Sequence, residues 1–113
     1  MKRIIAMIRP VMRDRVVAAL HRMEDFPGAA MSEISSVRRG LHQHREEYRE
    51  PPALDFPLFV RLEIVCADAM APLLVETIRI HARTGRPGDG KIFVAPVEAA
   101  LRIASGETDE EAL

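Results

Sequence analysis

The stretch Thr84 to Val94, T-G-R-P-G-D-G-K-I-F-V, places Gly85, Gly88, Gly90 and Pro87 directly before a lysine and an apolar, β-prone run. Glycines let a backbone approach a ligand closely, their amides can form a concave anion nest, and Lys91 adds a positive charge at the exit. Phosphate suits that chemistry. A plain turn between helix and strand is the competing reading of the same residues. A second cluster holds His42 and His44, two apart, with Glu46 and Glu47 close behind. Imidazole with carboxylate suits zinc or copper. A solvated, charged loop is the preferred reading of these residues, so no metal site is assigned; His42 and His44 are the ligands should one exist.

Candidates for catalysis are poor. Cys66 ends a largely apolar run and reads as a small buried hydrophobe, and no serine stands in a nucleophile motif. Glu33 and Glu63 lie in strand-like segments, where salt bridges with Arg38 or Arg61 explain them. His21 and His81 sit on helical segments and read as surface residues. No enzyme activity is expected.

The elements that position these residues follow from the apolar pattern. A chain of 113 residues with 48% hydrophobic content supports one domain with a real core. Its 16 basic and 17 acidic residues are interspersed, leaving a net charge of −1 and no global field that would draw nucleic acid or a membrane surface. The apolar run Ile4 to Ile8 after Lys2 and Arg3 is too short for a signal-peptide core or a membrane span, so a cytoplasmic protein is expected.

Arg3 to Arg9 reads as a strand covered on both faces, ended by Pro10. Met12 to Glu24 carries Val16, Ala19, Leu20 and Met23 at helical spacing, and Pro27 with Gly28 stops it. Ala29 to Val37 is a second strand. From Arg38 to Pro57 no core face can be drawn, which marks a long, functional loop. Leu58 to Cys66 alternates as a strand, and Asp68 is placed to cap a helix over Ala69 to Ala82 with Met70, Leu73, Leu74, Thr77, Ile78 and Ala82 as its core stripe. Ile92 to Val97 is the last strand, followed by a short segment from Glu98 and the acidic tail Glu107 to Glu111.

The order β-α-β-β-α-β describes an α+β, ferredoxin-like fold, an antiparallel sheet with both helices on one face. The first strand is apolar on both sides. Its uncovered face therefore calls for another subunit, and a cyclic oligomer satisfies that need.

Four segments carry a family resemblance: I-I-A-M-I-R-P at Ile4 to Pro10, F-V-R-L-E-I-V at Phe59 to Val65, Thr84 to Val94, and L-R-I-A-S-G-E-T-D-E-E-A-L at Leu101 to Leu113. The chain resembles the PII signal-transduction family over nearly its whole length. The resemblance implies a homotrimer of ferredoxin-like subunits that binds an adenine nucleotide, ATP, ADP or AMP, in clefts between subunits. It implies that Thr84, Gly85, Gly88, Asp89, Gly90 and Lys91 are the phosphate loop and that Arg102 reaches the phosphates. Residues 38–57 correspond to the family's T-loop, which docks on enzymes, regulators or transporters; Arg38, Arg39, His42, His44 and Tyr48 are its partner-facing candidates.

Several positions depart from the family pattern. Ala104 replaces a second phosphate arginine, which favours a shorter nucleotide. Gly40 stands for the glutamine that holds magnesium and 2-oxoglutarate, and Phe59 for a lysine that meets the 2-oxoglutarate carboxylate, so that effector is not expected. Pro52 replaces the tyrosine that some members have uridylylated. The remodelled loop suits a different client, such as a bicarbonate transporter or a heavy-metal efflux system. The alternative is a metal-binding trimer of the same fold, similar to the copper-tolerance CutA family.

Overall fold

The computed structural model describes residues 1–39 and 54–113. Their strands are β1 (Lys2–Ile8), β2 (Ala30–Ser35), β3 (Arg38–Arg39), β4 (Leu54–Asp55), β5 (Leu58–Cys66) and β6 (Gly90–Pro96). The helices are α1 (Arg13–His21) and α2 (Ala71–Ala82), each entered through a short 3-10 turn, at Pro10–Met12 and Asp68–Met70. Four strands make one antiparallel sheet in the order β2-β5-β1-β6. Helix α1 links β1 to β2 across β5, and α2 links β5 to β6 across β1. This is the ferredoxin-like arrangement expected from the element order.

The pleat explains which side chains meet the helices. Ile4, Ala6 and Ile8 of β1 and Val60, Leu62, Ile64 and Cys66 of β5 are buried together with Val16 and Leu20 of α1 and Leu74, Ile78 and Ala82 of α2. Each large aliphatic side chain among them contributes roughly 1.5–3 kcal/mol relative to exposure. Cys66 is a free thiol in this layer, and burial pushes its pKa up, opposite to the activation of a nucleophile. The core stripe of α2 is turned slightly from the one its sequence suggested. Leu73 points outward, 62% exposed, while Val75 packs against the core.

The alternate residues share the opposite sheet face. Strand register puts Ile5 beside Phe93 and Glu63, Met7 beside Lys91 and Arg61, and Arg3 beside Val65. Neither helix covers this face, and Phe93 is half exposed. Within it, Glu63 accepts hydrogen bonds from Arg3 and from Arg61, the latter at 2.7 Å. Those bonds, the one from Arg3 foremost, hold the Glu63 carboxyl below the usual range.

Several features differ from the sequence reading, and β2 and β6 themselves are shifted by one or two residues at each end. Helix α1 ends at His21 rather than Glu24, because Asp25 takes the left-handed region at φ 61° and Gly28 follows at φ 98°. Asp68 does not cap α2; its carboxylate pairs with the Met1 amine at 2.8 Å instead. The ends of the expected 38–57 loop are paired rather than irregular, with Arg38 opposite Asp55 and Arg39 opposite Leu54. Ser36 donates its amide to the Pro57 carbonyl at 3.0 Å just inside that pair. Since β2 and β5 are antiparallel neighbours, the chain leaving one and entering the other is already side by side.

Candidate functional site: a glycine loop folded around Asp89

Helix α2 stops when Arg83 turns to extended geometry, and the chain then runs through Thr84–Asp89 into β6. The Asp89 carboxylate is the hub of that loop. It accepts the Thr84 amide at 2.8 Å, the Gly85 amide at 2.9 Å and the Thr84 hydroxyl. Arg9, just past the end of β1, donates its Nε to the same carboxylate at 2.9 Å and its Nη2 to the Pro87 carbonyl at 2.8 Å. These bonds, led by the Thr84 hydroxyl, hold the Asp89 carboxyl far below the usual carboxylate range. Asp89 is thus ionised and fully engaged in shaping the loop.

The glycines are used differently from one another. Gly85 at φ 85° and Gly88 at φ 92° supply left-handed backbone for the turn. Gly90, at φ 115°, also lies against β1, where an added Cβ would meet the Met7 carbonyl oxygen at 1.8 Å. It is therefore needed for the sheet itself. Within the described residues, no acceptor takes the Gly88 amide, whereas those of Thr84, Gly85 and Arg86 are used inside the loop. Lys91 follows on β6 opposite Met7 and is exposed. An amide without an acceptor among the described residues and a cation at the strand entry are the groups an anion-binding turn would use.

Arg102 is elsewhere. It is exposed, its Nη2 donates to the main-chain oxygen of Leu113 at 3.0 Å, and it borders a cavity of about 420 Å³ with Gly28, Ala30, Glu63 and Val65. The loop borders a different cleft, about 340 Å³, between α2 and β6, whose walls include Ile78, Arg83 and Ile92. Lys91 lies opposite Met7 on β6, and Val65 opposite Arg3 on β5. Strand spacings put those two positions roughly 16 Å apart. One chain thus brings Thr84, Gly85, Gly88, Asp89, Gly90 and Lys91 together and leaves Arg102 apart.

A family model, Nitrogen regulatory protein P-II, matches residues 1–107. The chain belongs to the P-II family. It is 41% identical to the Nitrogen regulatory protein P-II of Cereibacter sphaeroides, 40% to that of Azospirillum brasilense and 39% to that of Nostoc punctiforme, with the whole of each chain covered.

Within this P-II chain, Arg38 and Arg39 form β3, while His42, His44 and Tyr48, like Gly40 and Pro52, lie outside the described residues. Among the described residues no group of three or more His, Cys, Asp or Glu side chains could hold a metal. His81 is tied to its own helix, its Nδ1 2.8 Å from the Thr77 carbonyl, and His21 is exposed. Phe59 shares the uncovered sheet face beside Ile34, and Ala104 is exposed in a turn. Among the described residues no helix is long and apolar enough to cross a membrane. Arg9 is the residue the sequence reading missed. Its only signal was a cation between an apolar strand and Pro10, which says nothing of a partner eighty residues away.

Proposed function

We propose that this chain is a P-II-type signalling regulator, not an enzyme. Three copies bind an adenine nucleotide, ATP, ADP or AMP, in the clefts between them, and residues 38–57 pass that state to a protein partner. The observation that carries this reading is the loop folded around Asp89, with the Gly88 amide and Lys91 left for an anion. Phosphates fit that chemistry, and the P-II relatives are regulators by name. Arg102 is the natural second cation, offered by a neighbouring copy. Ala104 supplies no guanidinium beside it, which favours ADP or AMP over ATP.

The mechanism is a shift of population. A nucleotide whose contacts differ between conformations of residues 38–57 biases which conformation a partner meets. Phe59 and Gly40 offer neither a cation nor a side-chain ligand, so 2-oxoglutarate is not expected to act by the route the family resemblance implies. The partner is a cytoplasmic enzyme, a regulator or the inner side of a membrane transporter or efflux system. Calorimetry with ATP, ADP and AMP tests the reading, with light scattering to count subunits. Binding by a trimer, weakened in Lys91→Ala without change of assembly, supports it; no heat with any of the three overturns it.

A further inference from the structure

We propose that Arg9 is a positioning residue for the anion loop, one that neutralises Asp89 so that the loop offers amides and Lys91 to phosphate without an opposing negative charge. This rests on the nucleotide reading above and adds a residue to that site. The guanidinium makes two separate bonds, Nε to the Asp89 carboxylate at 2.9 Å and Nη2 to the Pro87 carbonyl at 2.8 Å. It therefore ties the loop to the end of β1 at two points on either side of Gly88, the residue whose amide has no acceptor within the described residues. The fork of an arginine allows this; a single ammonium reaches one acceptor at a time with less directional control.

The electrostatic part follows from position. Asp89 stands between Gly88 and Lys91, inside the turn that would receive a phosphate, and its side chain is 23% exposed. The Thr84 and Gly85 donors shape the carboxylate but carry no net charge. Arg9 is the one cation paired with it among the described residues. Without that cation, the carboxylate would repel an incoming anion, and the repulsion would grow with the number of phosphates.

The geometry also supplies a rescue. The Asp89 Oδ1 faces Arg9 and the Thr84 hydroxyl, while Oδ2 faces the Thr84 and Gly85 amides. In the double variant Arg9→Gln/Asp89→Asn, the oxygen of the new asparagine can keep the two amides. Its NH2 then donates to the carboxamide oxygen that Arg9→Gln introduces, so the loop stays closed with no net charge.

The test is calorimetry of the full chain with AMP, ADP and ATP at two salt concentrations, for the wild type, Arg9→Gln, Arg9→Lys and the double variant, with thermal melts in parallel. Arg9→Gln is expected to weaken ADP about tenfold, AMP less and ATP more, with a shallower loss at high salt. Arg9→Lys should stay nearer the wild type. The double variant should recover ADP affinity to within about threefold, and it carries the test if Arg9→Gln alone fails to fold. An equal loss for all three nucleotides, or a folded double variant that binds ADP no better than Arg9→Gln, overturns the inference. A wild type that binds none of the three overturns the nucleotide reading as well, whereas a binding wild type with an unaffected Arg9→Gln overturns only the role of Arg9.

Discussion

The Gly90 α-carbon lies so close to the backbone of β1 that a methyl group on it would sit 1.8 Å from the Met7 carbonyl oxygen. Backbone cannot yield as a flexible side chain can, and φ at Gly90 is also positive at 115°. Gly90→Ala should therefore push β6 off β1 and cost more than about 3 kcal/mol. Gly85 is a useful control in the same loop. A Cβ there meets nothing within 4 Å, so Gly85→Ala bears only the strain of φ 85°, about 1–2 kcal/mol. Urea denaturation of both variants separates the two effects; equal midpoints would refute the close approach.

Acid should erode the stability of the loop progressively. The folded structure depresses the carboxyls of Asp89 and Glu63, so each adds stability that is complete above its unfolded pKa and is lost as pH falls toward its folded value. Stability should be flat near neutrality and decline below about pH 4, where unfolded carboxylates begin to bind protons that the folded ones refuse. Asp89→Asn should be less stable than the wild type at pH 7, and the gap should narrow as pH falls. A gap that stays constant from pH 7 to pH 3 would show that the Asp89 charge does not matter.

The uncovered face of the sheet makes a prediction about assembly. Phe93 lies on that face beside Ile5 and is 51% exposed in a single chain, so it contributes little to the internal core. Phe93→Glu should leave the helical signal intact and change the stability of one chain by less than about 1 kcal/mol. In the proposed trimer, with this face as its interface, the same change would bury a charge without a partner and break the assembly. Light scattering should then report one chain where the wild type reports three. A Phe93→Glu protein that still forms trimers would place the interface on another surface.

Much of this was legible because the core is periodic. Val60, Leu62 and Ile64 alternate along β5, Ile4 to Ile8 are apolar without a break, and Leu74 with Ile78 marks the inner side of α2. What the sequence hid lies in contacts between distant residues or in backbone conformation. Leu73 looked like core by residue type, yet the helix turns it outward. The two-residue ladder of β3 and β4 has no apolar pattern of its own; it follows from the pairing of β2 with β5. Asp68 had the sequence position of a cap, yet its carboxylate pairs with the Met1 amine, sixty-seven residues away in the chain. In the loop, the glycines and Lys91 announced an anion site, whereas nothing local announced that Asp89 would turn inward to meet Arg9.

The separation of Lys91 from Arg102 gives the most demanding test of the assembled site. In one chain the two belong to different cavities, one beside β6 and the other beside β2 and β5. If both meet the same nucleotide, each cleft must take Lys91 from one copy and Arg102 from its neighbour. Lys91→Ala and Arg102→Ala should then each weaken ADP binding at every cleft of their own trimers. Co-refolding the two variants at equal amounts changes the outcome. Random mixing leaves about one cleft in four with both cations intact, because the Lys91 side of a cleft and its Arg102 side are drawn independently. Calorimetry of the mixture should therefore show a minority of sites with wild-type affinity, near a quarter of the total, beside a weak majority. A site contained within one chain predicts none, since no subunit in the mixture carries both residues. The absence of strong sites after verified mixing would place both cations in a site of one chain, whereas strong sites near half of the total would remove Arg102 from the cleft that Lys91 serves.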